Sequence, residues 1–189
     1  MKSLKPENKI EALLFLFAFI ILPIFSILLG VQESIFYENL TYIGNQPQYR
    51  LLFQIWGITI SLDYFFSFYY LTKKTKVYGK RLLPIAAVLS FISILSFFIP
   101  YNAHQPLLSN LHVYTSLSSS LLTICLIFYY VHLFQFDEPA YYQKCFRCII
   151  AFMIICVTLL LILGDISGIL ELVMTLFLSV FLYYMIRIY

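Results

Sequence analysis

The amino-acid sequence predicts an all-α, polytopic integral membrane protein, a six-transmembrane-helix bundle with N- and C-termini cytoplasmic. Three observations predict it. Of the 189 residues, 62% are hydrophobic and only 11% charged, with a mean hydropathy of +0.90. A soluble domain of this length shows close to half of its residues to water, so it could not hide that much apolar surface. The apolar residues also gather into six long runs, each near the length, about 18 to 20 residues, that crosses a hydrocarbon core of roughly 30 Å. Finally, the Lys and Arg residues fall almost entirely in connections that an even number of crossings puts on one side.

The first run, Ile10 to Gly30, follows the basic head Met1 to Lys9. It exceeds the roughly 7 to 15 apolar residues of a signal peptide, and no small-residue cleavage site stands near Gly30, so it is expected to persist as the first helix. The others are Leu51 to Thr72, Leu82 to Pro100, Leu111 to Phe134, Cys148 to Gly164 and Ile169 to Ile186. The longest connection, Val31 to Arg50, is too short to hold a further domain, so residues 1–189 read as one transmembrane domain. No internal repeat is visible, and with it the inverted-repeat sign of many secondary transporters is missing.

With the N-terminus inside, the inner segments hold Lys2, Lys5, Lys9, Lys73, Lys74, Lys76, Lys80, Arg81, Lys144, Arg147 and Arg187, leaving Arg50 alone outside. Short loops rich in Lys and Arg resist translocation, which fixes the orientation. Tyr49, Trp56, Tyr69, Tyr70, Tyr101, Tyr183 and Tyr184 sit near span ends, where amphipathic rings favour the headgroup region. The net charge of +3 is thereby a topology signal, and no nucleic-acid partner is expected. None of the four Cys lies in an outer segment, so no disulfide framework is implied. Richness in Ile, Phe, Tyr and Lys, with the small size, points to a bacterial cytoplasmic membrane.

Asp63 is the most informative single residue. It is the thirteenth of 22 residues in the second span, near the bilayer midplane, where a charge costs at least about 2.5 kcal/mol. Either it serves an ion, a proton or a substrate, or it is a hydrogen-bonded carboxyl that joins helices. In the fourth span His112, Ser116 and Ser119 share one helical face with Thr115 beside them, a polar stripe down its outer half. Small polar residues of this kind let helices approach and bond across the interface. They could equally join His104, Asn45, Arg50, Asp165 and Glu171, with Glu33 and Glu38, in an outward-facing polar pocket. Glu171 opens the sixth span, where the helix dipole favours a carboxylate.

Other motifs carry less. His104, His112 and a carboxylate could be imagined around a metal, but no pair has the tight spacing of a metal-binding helix, so no metal and no cofactor are predicted. Cys145-Phe-Arg-Cys148 offers only two thiols and reads as inert. His132 stands twenty residues after His112, about 30 Å along a helix, and each would need a partner histidine for haem. Lys73 to Arg81 could attract anionic headgroups, at about 1 kcal/mol per charge, beyond its topological meaning. Asn39-Leu40-Thr41 is a glycosylation sequon that matters only in a eukaryotic secretory pathway.

The inside N-terminus, a first outer loop closing in Thr41-Tyr-Ile-Gly-Asn45, a third span ending Phe98-Ile-Pro-Tyr101, and His112 before small residues form a pattern over the whole topology. It resembles the six-span DRAM, FRAG and SFK type of membrane proteins and their bacterial relatives. That resemblance implies membrane-lipid housekeeping: lipid-anchor remodelling, lipid distribution across the bilayer, or autophagy. Gly44, Asn45, Pro100 and His112 are its motif positions, without assigned roles. Tyr101-Asn102 departs from the acidic residue the bacterial relatives would place after the proline.

The function expected is the binding of a lipid, an amphiphile or a partner membrane subunit through an outer pocket of His112, Asn45, Arg50 and Glu171. Membrane lipids are the expected partners, with another membrane protein or a homo-oligomer beside them. A transporter or proton-coupled channel centred on Asp63, and an outer-leaflet lipid-modifying enzyme using His112 with a carboxylate, are the alternatives.

Overall fold

A computed structural model describes residues 5–76, 79–101 and 105–189. The described residues form six long helices, each long and apolar enough to cross a membrane: Lys9–Gly30, Arg50–Thr75, Arg81–Phe98, Pro106–His132, Pro139–Leu163 and Gly168–Ile188. Elements are labelled α1 (Lys9–Leu16) and α2 (Leu22–Gly30), which together make the first long helix, α3 (Leu40–Asn45), α4 (Arg50–Thr75), α5 (Gly79–Phe98), α6 (Pro106–His132), α7 (Pro139–Leu163) and α8 (Gly168–Ile188). Successive long helices run up and down. One end of the bundle, here the base, holds both termini. The opposite end, the crown, holds α3.

A π-helical turn, Phe17–Ile21, separates α1 from α2, with Leu22 N–H bonded to Phe17 O. Pro23 explains it: proline brings no N–H, and its ring crowds the carbonyl four residues back, so the helix widens by one residue ahead of it. Asn8 caps the start of α1, its Oδ1 accepting from Glu11 N at 3.0 Å.

Three helices begin or end away from the apolar runs. α6 starts at Pro106 and α7 at Pro139, each proline in the first turn, where its missing N–H has no helical partner to lose. As a result the Cys145–Cys148 pair lies inside α7, with Cys145 buried and Cys148 half-buried. α3 falls within the Val31 to Arg50 connection. Asn39 caps it by accepting from Tyr42 N at 2.8 Å, a turn signal the hydropathy pattern does not carry.

The helices pack most closely where side chains vanish. A Cβ on Gly57 would come within 2.3 Å of the Phe97 ring, so the α4–α5 contact depends on the missing side chain. Gly44 meets the Phe53 ring in the same way at 2.2 Å, seating α3 on α4. Trp56 Nε1 donates to Ser26 Oγ at 3.0 Å and joins α4 to α2. Toward the base, Phe68, Tyr130, Phe134, Tyr141 and Tyr189 form an edge-to-face chain of rings at centroid distances of 4.9 to 5.7 Å.

Candidate functional site

The crown is knotted by hydrogen bonds to backbone. His112, only 2% exposed, directs Nδ1 at Ile99 O, 2.8 Å away, and Nε2 at Thr41 Oγ1, 3.4 Å away. A carbonyl can only accept, so Nδ1 carries a proton. Asn45 Nδ2 donates to Thr41 O at 2.7 Å, while its Oδ1 accepts from Tyr101 N at 2.8 Å. Arg50 Nη2 donates to Phe98 O at 3.3 Å. Three predicted residues from three helices therefore hold one segment, 98–101.

Glu171 stands at the other end of α3. Its Oε2 accepts from Leu40 N at 2.6 Å, so a side chain in the first turn of α8 caps the start of α3. The favour is returned: Gly168 N donates to Glu38 O at 2.8 Å and Ile169 N to Ile35 O at 2.9 Å, satisfying the opening N–H groups of α8. A Cβ on Gly168 would lie 2.9 Å from Glu38 O, so glycine is needed for this approach. Asp165 is exposed and binds its neighbour, accepting from Ile166 N at 2.6 Å. His104 and Asn102 lie outside the described residues.

On α6, His112 and Ser119 are buried and Thr115 and Ser116 half-buried, and the hydroxyls of the stripe are spent locally. Ser116 Oγ donates to Val113 O at 3.2 Å and buried Ser119 Oγ to Ser116 O at 3.0 Å. Among the described residues, no three His, Cys, Asp or Glu side chains converge as a metal would require. No family model, curated protein or solved structure matches this chain.

Asp63, 2% exposed, packs between α4 and α8, where Ser179 donates to its Oδ2 and Oδ1 finds no partner among the described residues. One residue on, Tyr64 O–H donates to Thr175 O at 2.8 Å, so the same pair of helices is bonded twice.

A cluster the sequence did not single out lies at the base. Glu11 is fully buried. Its Oε2 accepts from Arg187 Nη1 at 2.7 Å and Glu7 N at 3.0 Å, and its Oε1 from Lys74 Nζ at 3.2 Å and Tyr70 O–H at 3.3 Å. Arg187 also reaches Glu7 Oε1 at 3.1 Å, and Lys74 donates to Ile186 O at 2.9 Å. A carboxylate has about four lone-pair sites, and all four are filled. The signal was present: Asn8 and Glu11 stand three apart at the mouth of an apolar run, the spacing of an N-terminal capping box.

The helix hairpin of α6 and α7 is joined at one end. Every buried residue of α7, namely Tyr141, Cys145, Ile149 and Phe152, lies at or before Phe152, whose ring stacks on Phe177 at 3.8 Å. Beyond it only Cys156, Leu159 and Leu163 are even half-buried, and these share one helical face with Phe152. Opposite them, Val173 to Phe177 of α8 are likewise half-buried. The crown half of α7 thus shows mostly exposed side chains, and residues 164–167 tie its end to the start of α8. At the level of Phe152, a small apolar hollow between α6, α7 and α8 is lined by Ile124, Phe128, Phe152 and Phe177.

Proposed function

We propose that the chain is a multi-pass protein of a cell membrane, with both termini and the Lys73 to Arg81 hairpin in the cytoplasm, that holds a membrane lipid or similar amphiphile from the outer leaflet. The acyl chain lies along the exposed apolar face of α7 beyond Phe152, and the headgroup meets the polar crown near His112, Glu171 and Asp165. The observation that carries this reading is the absence of any buried α7 residue beyond Phe152. Hydrocarbon is the environment such a face would meet in a bilayer. A partner helix is the weaker occupant, because tight packing between membrane helices favours small residues and Met153 to Leu163 contains no Gly, Ala or Ser.

The orientation rests on the charge asymmetry of the sequence, and the lipid reading agrees with what the resemblance to the DRAM, FRAG and SFK type implies. The test uses the whole protein in nanodiscs of defined lipid, released for native mass spectrometry. Wild type is expected to retain lipid that Leu159→Trp, which reshapes the α7 face, and the His112→Ala, Glu171→Ala pair each reduce. Equal retention in all three would sink the proposal. So would a dimer that only Leu159→Trp dissociates, which would assign the face to a second copy.

A further inference from the structure

Two carboxyl groups are buried in this bundle, and the protein treats them in opposite ways. Glu11 is surrounded by two cations, a phenol and a backbone N–H, so its negative charge is balanced. Asp63 meets only neutral hydroxyls, those of Ser179 and Ser67, and its Oδ1 has no partner among the described residues. Ser67 and Ser179 are buried beside it and bring no charge.

No cation can reach it. On α4 the nearest are Arg50 and Lys73, thirteen and ten residues away, about 20 and 15 Å along the helix. On α8 the nearest to Ser179 is Arg187, eight residues and about 12 Å toward the base, and it is already held by Glu7 and Glu11. Glu171 lies the same distance toward the crown, and Tyr183 one turn toward the base. The first span has no ionisable residue between Ala12 and Val31, and α5 has none between Leu82 and Phe98. An ionised carboxylate so placed would be uncompensated, an arrangement that costs several kcal/mol.

We propose that Asp63 is a proton-binding site: its carboxyl carries a proton inside the folded bundle and shares it with Ser179. The neutral acid supplies an O–H that Ser179 Oγ can accept, and the charge that the surroundings cannot balance is gone. This site is separate from the crown and does not depend on lipid binding there.

The chain has only three aspartates, Asp63, Asp137 and Asp165, which makes the test direct. Full-length protein labelled with carboxyl-13C aspartate is reconstituted in lipid at neutral pH, in sodium and in sodium-free potassium buffer, and its infrared spectrum recorded. The expected result is one protonated-acid carbonyl band beside two carboxylates, unchanged by the cation and absent from Asp63→Asn. Wild type carries the primary readout, so the inference stands even if the variant folds poorly. Three carboxylate bands in wild type would overturn it, as would an acid band that persists in a folded Asp63→Asn protein. A carboxylate band for Asp63 that moves on removing sodium would overturn it too, assigning the site to a metal cation.

Discussion

Replacing Glu11 by Leu tests the base cluster most sharply. The substitution removes one charge and four accepted hydrogen bonds, and it strands Arg187, which is 3% exposed. Breaking one partner out of a buried ion pair costs about 3–5 kcal/mol, because the surviving charge stays desolvated. Two features pull the value to the lower end. Arg187 keeps Glu7 at 3.1 Å, although Glu7 is mostly exposed and such a pair is worth only about 0–1 kcal/mol. Lys74 is a quarter exposed and can turn toward water. The expected loss is therefore about 3 kcal/mol. Arg187→Leu alone should lose a comparable amount. The double variant should recover most of it, because replacing a buried pair by apolar residues is often neutral or stabilising. Equilibrium unfolding in mixed micelles reads the four corners of this cycle; with each single losing about 3 kcal/mol and the double about 1 kcal/mol, the coupling energy should reach about 5 kcal/mol. Single variants within about 0.5 kcal/mol of wild type, or a double variant that loses the sum of the two, would refute the reasoning.

Gly57→Ala should lose about 1–3 kcal/mol by pressing on the Phe97 ring, and Phe97→Leu in the same chain should restore part of it in the same unfolding assay. His112→Ala leaves the Ile99 carbonyl without its donor, at a cost of about 1–3 kcal/mol, and proteolysis of the Ile99–Tyr101 segment should accelerate selectively. In a cysteine-free background, Tyr37→Cys at the crown should react with an impermeant thiol reagent in intact cells and Lys76→Cys only after permeabilisation; the reverse pattern would invert the topology. Phe152→Ala should destabilise the protein by less than the about 3–5 kcal/mol of a soluble core, since lipid is as apolar as the site lost, while Leu161→Ala should be neutral. A matching loss at Leu161 would show that a partner covers α7.

The long helices were legible because one physical fact writes them: backbone in hydrocarbon must satisfy itself, so each crossing is an uninterrupted apolar run. Their starts were less so. Pro106 and Pro139 open α6 and α7 before the runs begin, in polar sequence that helix caps govern and hydropathy does not. The same limit hid α3, which is held by Asn39 and by Glu171, a residue 131 positions away from the Leu40 N–H it accepts. For the candidate site, residue types were readable: the expectation grouped His112, Asn45 and Arg50 with Glu171, whereas the first three bond to the 98–101 segment and Glu171 caps α3. Their partners were not, because most are carbonyls and N–H groups that every residue possesses. Glu11 escaped attention for the opposite reason. A single acid in a long apolar run resembles a boundary residue, and only the depth shared with Arg187 from the far end of the chain reveals a pair.

The two ends of the bundle are held by interactions with different consequences for movement. At the base, charges and rings from α1, α4, α6, α7 and α8 interlock through side chains, so moving any one helix leaves a buried charge or a cavity behind. At the crown, the fastenings join loops and helix ends through single backbone hydrogen bonds, and none of those described reaches α7 beyond Phe152. A net hydrogen bond is worth only about 0.5–1.5 kcal/mol, against about 3–5 kcal/mol for a broken buried ion pair. The tip of α7 is tethered at the crown by residues 164–167, which join it to the start of α8, itself held by the Gly168 and Ile169 hydrogen bonds. Any outward motion of that tip must carry the opening turn of α8 with it, while the base keeps Glu11 and its partners in place.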